Sequence, residues 1–256
     1  MPLAGPELTV IVPAYNEELR LPATLDTLAS AFAPRGAGVE VMVVNDGSRD
    51  NTLGVARAAA PLFARSGVRY RVLDHVTNKG KGAAVRTGSQ AALGDVVLFT
   101  DADLAAPVSE FALLESAVRN GADIAVGVRH KSQRTLARRA MAFVFQTYVG
   151  FMLGLPAIDT QCGLKAFSLA AARHLFGELD CQGYAFDVEI LARAARHGYR
   201  IVTMQVKWSE QPGSKVSVVQ DSVKMALQVA NIRRSLACRN SNPAARLPRN
   251  STPPTT

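Results

Sequence analysis

Three observations predict an α/β fold with a mostly parallel central sheet flanked by helices. Short runs rich in Val and Ile recur along the chain, separated by helical patterns. The runs lack strict apolar–polar alternation, as expected of strands covered on both faces. Three polar clusters follow such runs directly, where an open parallel sheet receives its ligands.

The first run, LTVIV at 8–12, stops at Pro13 and leads into a helix over 17–33. VEVMVV at 39–44 ends at Asp46-Gly47, a tight turn before a helix over 51–65. RYRVLD at 69–74 is followed by a glycine- and lysine-rich loop and a helix over 81–93. DVVLFT at 95–100 and DIAVGV at 123–128 enclose a helix over 109–119. Helices over 136–153, 168–176 and 186–197 precede the last strand, RIVTMQV at 200–206, and a final helix over 219–237. No internal repeat is present. Residues 1–6 are expected to fray, and the Pro- and Asn-rich 240–256 to be disordered. The expected organisation is one domain over 7–215 and a C-terminal helix over 216–239.

Composition narrows the function. The chain has 256 residues, 48% hydrophobic and 20% charged, which suits a soluble globular protein with a sizeable core. A net charge of +8 favours an anionic partner such as a nucleotide, a nucleic acid or an anionic membrane. Nucleic acid is disfavoured because the charge is scattered and no recognition motif occurs. Three cysteines without CxxC spacing argue against a disulfide framework or a cysteine zinc site and suit a reducing cytoplasm. No signal peptide is expected at the N-terminus. Ala140–Leu155 is apolar but shorter than the roughly 20 residues a spanning helix needs. Lys131, Arg134, Arg138 and Arg139 precede it, so it reads as an interfacial element at the inner face of a membrane, with a buried core helix as the other reading.

The sharpest cluster is FTDADL at 99–104. Asp101 and Asp103 stand two positions apart after a buried strand, where unpaired charge is costly. Carboxylates so spaced suit Mg²⁺ or Mn²⁺, which also bind substrate phosphates and water. PAYNE at 13–17 offers the flat face of Tyr15 and the acid Glu17, although Glu17 also suits a helix N-terminus. In NDGSRDNT at 45–52, Asp46 can accept hydrogen bonds from a nucleobase or ribose, or simply close a strand–turn–helix connection. TNKGKGAAVRTG at 77–88 sets Lys79, Lys81 and Arg86 around Gly80 and Gly82 at a helix start, a pattern that favours phosphate. It is not a Walker A loop.

Together, IVPAYNE, VVNDGSRDNT, NKGKGAAVRTG and FTDADL resemble the nucleotide-sugar half of the family 2 glycosyltransferases of the GT-A fold, and the resemblance runs from about Leu8 to Lys215. DTQCGLKAF (159–167), YAFDVEILARA (184–194) and VKWSEQPGSK (206–215) resemble the dolichyl-phosphate β-glucosyltransferase branch, with the polyprenyl-phosphate mannose synthases as cousins.

The resemblance implies inverting transfer of a hexose, glucose from UDP-glucose, to a polyprenyl or dolichyl phosphate at the membrane surface. It implies Asp101 and Asp103 as the Mn²⁺- or Mg²⁺-binding acids, with Asp103 the direct ligand. Pro13, Tyr15, Glu17 and Asp46 would line the nucleoside pocket, and Lys79 and Arg86 would serve the donor's phosphates. Arg129, Arg138 and Lys215 would meet the acceptor phosphate. Asp159, Gln161 and Lys165 would shape the sugar or acceptor side. Asp187 falls where many relatives place a catalytic base, or is an acid at a helix N-terminus. Trp208 is a sugar platform or a core residue. Competing readings are a GDP-mannose donor, a hydroxyl acceptor, and a non-catalytic phosphate-binding regulatory module, which leaves the chain after Val128 without a role.

Overall fold

The computed structural model describes residues 5–129, 147–154, 160, 162–183, 185–209 and 228–236. Seven strands form one sheet: β1 (Leu8–Ala14), β2 (Val39–Asn45), β3 (Arg69–Asp74), β4 (Val96–Phe99), β5 (Ile124–Arg129), β6 (Lys165–Ser168) and β7 (Ile201–Val206). Their order is β3-β2-β1-β4-β6-β5-β7, and β6 alone runs antiparallel to its neighbours. The helices are α1 (Leu21–Phe32), α2 (Thr52–Ala58), α3 (Ala60–Ser66), α4 (Lys81–Ala91), α5 (Phe111–Arg119), α6 (residues 147–153), α7 (Leu169–Gly177), α8 (Phe186–His197) and α9 (residues 228–236).

The inner strands β1, β2 and β4 are buried on both faces, as their unalternated sequences predict, while the edge strands β3 and β7 are only partly buried. Leu8, Val10 and Val12 of β1 enter one core layer beneath α1, α3 and α5, while Ile11 enters the other beneath α4, α7 and α8. β4 divides the same way: Val96 and Leu98 face the first layer, Val97 and Phe99 the second. Phe99 meets Phe167, Phe176 and Phe186 with ring centroids 5.7–6.5 Å apart, so β4, β6, α7 and α8 share one aromatic nucleus.

Three expectations change. The helix over 17–33 begins only at Leu21, because residues 16–18 bond to the 48–52 turn instead. The helix over 51–65 is two helices, α2 and α3, meeting at Ala59-Ala60 ahead of Pro61, a residue suited to starting a helix. β6 was not anticipated: it is four residues long and ends at Ser168, whose hydroxyl caps α7. Of the helix over 136–153 only 147–153 is described, and of the final helix only 228–236; both stretches are helical. The basic residues Lys131 to Arg139 and the tail 240–256 lie outside the described residues.

Candidate active site

The parallel strands β1, β2 and β4 bring their carboxyl ends together, and the acid pair stands at the centre of that edge. The ladder extends one residue past β4, where Thr100 N–H donates to the Ile11 carbonyl at 3.0 Å. The chain then turns sharply. Leu104 has φ +47°, rare for a branched side chain, and donates its N–H to the Asp101 carbonyl at 3.2 Å. Thr24 Oγ1 of α1 pins the turn by donating to the Ala102 carbonyl at 2.6 Å. Asp101 and Asp103 are therefore held by backbone on a partly buried ledge. Burial, and then the nearby charge of Asp101, push the Asp103 carboxyl above the usual range. Such a site favours a cation.

Cations of the chain itself already flank the pair. Lys81, the first residue of α4, sets its ammonium 2.5 Å from Asp101 Oδ1. Arg20 forks onto Glu17 with two bonds of 2.6 Å and reaches to 3.9 Å from Asp103. Gly163 packs against the Asp101 carboxylate so closely that a Cβ there would lie 2.0 Å from Oδ2. Glycine in the QCGLK stretch thus keeps room for Asp101.

A second acid–base pair lies behind the first. Asp187 sits in the first turn of α8, and its carboxylate is 2.6 Å from Lys165 Nζ. Lys165 also donates to the Cys162 carbonyl at 2.6 Å and lies 5.4 Å from the Phe99 ring centre. Lys165 has no exposed surface; its apolar stem lies in the core and its charge answers Asp187. Burial raises the Asp187 carboxyl above the ordinary aspartate value, opposed by the charges of Lys165 and Lys81 and reinforced by that of Asp101.

Asp46 is likewise turned inward. It accepts from His75 Nδ1 (2.8 Å), Asn78 Nδ2 (3.0 Å), Lys79 N–H (3.0 Å) and Gly80 N–H (2.8 Å) and is 2% exposed. Four donors fill its lone pairs. These bonds tie it to the 75–80 loop. Gly47 belongs to the same packing: its φ is +63°, and a Cβ would fall 2.3 Å from the Thr77 carbonyl carbon.

The start of α4, the expected phosphate cradle, meets another part of the chain. Gly82 and Ala83 donate to the Gln182 carbonyl at 2.8 and 3.3 Å, so the α7–α8 connector caps this helix. Lys79 is exposed, and Arg86 donates to the carbonyls of Leu179 and Gly177 at the end of α7. Both line an open cavity of about 220 Å³ with Thr87 and Cys181. The residue of this loop that reaches the acid pair is Lys81, not Lys79 or Arg86.

On the other side, Pro13 is buried within β1 and Tyr15 is about one-third exposed at its end. Arg129 ends β5 with its guanidinium 5.4 Å from the Trp208 ring centre. Trp208 is half-buried against the core layer of β1 and α1, which favours packing over a sugar platform. Arg138, Asp159, Gln161 and Lys215 lie outside the described residues. Sequence reasoning missed Arg20 and Gly163 and passed over Lys81; the signal for Lys81 was a cation between two glycines, facing an acid pair at the next strand end.

Two acids at the central carboxyl edge of a mostly parallel sheet suit an enzyme that handles a phosphate-bearing substrate with a divalent cation. The family model described as glycosyl transferase family 2 matches residues 9–176, and the chain belongs to that family. It is 39% identical to a dolichyl-phosphate β-glucosyltransferase of Drosophila melanogaster over 82% of this chain and 69% of that one. It is 34% identical to proteins of the same name from Saccharomyces cerevisiae (88% and 74%) and Homo sapiens (89% and 75%). Among solved structures, glucosyl-3-phosphoglycerate synthase of Mycobacterium tuberculosis bound to phosphoglyceric acid shares the fold, with a TM-score of 0.66 at 23% identity over 94% of this chain and 82% of that one. The same enzyme with Mn²⁺, UDP-glucose and phosphoglyceric acid superposes with a TM-score of 0.63 at 23% identity, again over 94% and 82%.

Proposed function

We propose that this protein is a hexosyltransferase that moves glucose from UDP-glucose to the phosphate of a polyprenyl lipid of the dolichyl class, with inversion at the sugar carbon. The carrying observation is the backbone-held pair Asp101 and Asp103 at the carboxyl edge of the sheet, in a chain whose 32–39% identical relatives bear the name dolichyl-phosphate β-glucosyltransferase.

Asp101 and Asp103 fit a divalent cation: both are hard oxygen donors, partly buried, with Asp103 raised by burial and by its neighbour's charge. When bound there, Mn²⁺ or Mg²⁺ takes up negative charge on a departing diphosphate. Lys81 holds Asp101 in place and adds positive charge beside the leaving group. Arg20 fixes Glu17 and faces Asp103. The acceptor needs little help in losing a proton, since a phosphate monoester has a second pKa of about 6 and is mostly dianionic at neutral pH. An Asp187 buried and paired with Lys165 agrees with that chemistry: it positions the floor of the site, and cations such as Arg129 orient the acceptor.

The acceptor is a lipid, so the carboxyl edge should meet a membrane. Leu19 and Val76, 88% and 96% exposed, follow β1 and β3 on that edge. Among the described residues no helix is long and apolar enough to cross a membrane. Peripheral contact with a membrane surface is the reading that agrees with both. The test is incubation of the purified protein with UDP-[¹⁴C]glucose or GDP-[¹⁴C]mannose, a short polyprenyl phosphate and Mn²⁺ or Mg²⁺. Label from UDP-glucose in the organic phase is expected. Label only from GDP-mannose, or only in water-soluble product, overturns the donor or the acceptor respectively.

A further inference from the structure

A second cluster of metal-binding groups lies away from the acid pair. His174, Glu178 and His197 each offer one ligand atom, and these three atoms lie within 4.8 Å of one another. Glu178 follows the last residue of α7 and His197 ends α8. Asp187 lies at the opposite end of α8, about 15 Å away at 1.5 Å per residue.

The distances match a small cation. His174 Nε2 is 3.6 Å from Glu178 Oε1, and His197 Nε2 is 3.1 Å from Glu178 Oε2. Ligand atoms about 2.0–2.2 Å from a tetrahedral ion are separated by about 3.4 Å. Tyr199, placed by the left-handed turn at Gly198, sets its hydroxyl 2.7 Å from His174 Nδ1. With Nδ1 donating to that oxygen, Nε2 carries the lone pair that a metal requires, the usual way a ligating histidine is oriented. Arg193 Nη1 approaches Glu178 Oε2 at 3.3 Å, yet its charge is shared with Asp180 and Glu189 at 2.8 and 2.6 Å.

We propose that His174, Glu178 and His197 form a binding site for a transition-metal ion of the Zn²⁺ class, separate in place and chemistry from the acid pair. Two imidazoles and one carboxylate select Zn²⁺, Co²⁺, Ni²⁺ or Cu²⁺, whereas two carboxylates suit Mg²⁺ or Mn²⁺. The ion clasps the end of α7 to the end of α8 and so braces the connector whose Gln182 carbonyl caps α4.

The test uses the full chain freed of metal, in an Asp103→Asn background that weakens the acid pair. Zn²⁺ is titrated by calorimetry, and Co²⁺ by visible absorption. One equivalent of Zn²⁺ and the d–d bands of four-coordinate Co²⁺ are expected. His174→Ala and His197→Ala should each weaken Zn²⁺ at least about tenfold, since even a hydrogen-bonding partner of a ligand is worth 10–100-fold. His197 is one-third exposed, so its variant should keep the circular dichroism of the parent. No Zn²⁺ bound by the parent, or equal binding by parent and His197→Ala, overturns the proposal.

Discussion

Lys165 Nζ lies 2.6 Å from the Asp187 carboxylate, and together they form a closed ion pair beneath the acid pair at the sheet edge. Removing one member leaves the other charge buried, which typically costs about 3–5 kcal/mol. Lys165→Met should therefore lower unfolding stability by about that much in urea titrations. Asp187→Asn keeps an acceptor for Lys165 and should unfold less readily than Lys165→Met. With a short polyprenyl phosphate it should lose about tenfold in turnover or less, against the 10²–10⁴ typical of a missing general base. Collapse to background with an intact circular dichroism spectrum makes Asp187 a base and favours a hydroxyl acceptor.

Asp103→Asn and Asp101→Asn should each reduce turnover by at least about 10²-fold while the protein stays folded, because the cation that meets the diphosphate loses a ligand. EDTA should abolish activity of the parent, and Mn²⁺ or Mg²⁺ should restore it. Full activity in EDTA sinks the metal at this site.

Gly163→Ala tests the packing against Asp101. A Cβ 2.0 Å from Oδ2 forces the carboxylate or the 162–164 segment to move. A displacement near 1 Å commonly costs about 10²-fold in rate. The expected result is a loss of that order with a raised Mn²⁺ requirement. An unchanged Mn²⁺ activation curve shows that Asp101 has room to spare.

Acid should destabilise the fold partly through Glu115. Burial works against its charge, but the forked bonds from Arg35 and Arg119 prevail and hold its carboxyl below the ordinary value of 4.5. The unfolded chain then binds a proton more readily, so this contribution is full above about pH 4.5 and fades as pH falls toward the folded value. Glu115→Gln should lower the urea midpoint at pH 6 and flatten its dependence between pH 5 and 3. An unaltered slope removes Glu115 from the acid response.

The sequence made local features legible and left distant pairings hidden. Asp101 and Asp103 stood out because acids directly after VVLF conflict with burial unless something answers them. Strands β1 to β5 and β7 are visible as short runs rich in β-branched residues. β6 is not, because four residues containing a lysine carry no period, and that lysine's partner comes 22 residues later. Asp46 read as a ligand contact because its donors lie 29–34 positions away. Only tertiary structure shows that donors of its own chain already meet it.

The place of β6 between β4 and β5 has a consequence for synthesis. Both neighbours leave the ribosome before it, and Lys165 follows Arg129 by 36 residues. At 5–20 residues per second, two strand edges wait roughly 2–7 s for the four residues that join them. Through that interval the nascent chain carries open hydrogen-bonding edges of a kind that invite pairing with other chains. A chaperone that shields extended backbone is most needed then, and a chain cut after Arg129 should aggregate instead of persisting as a half-domain.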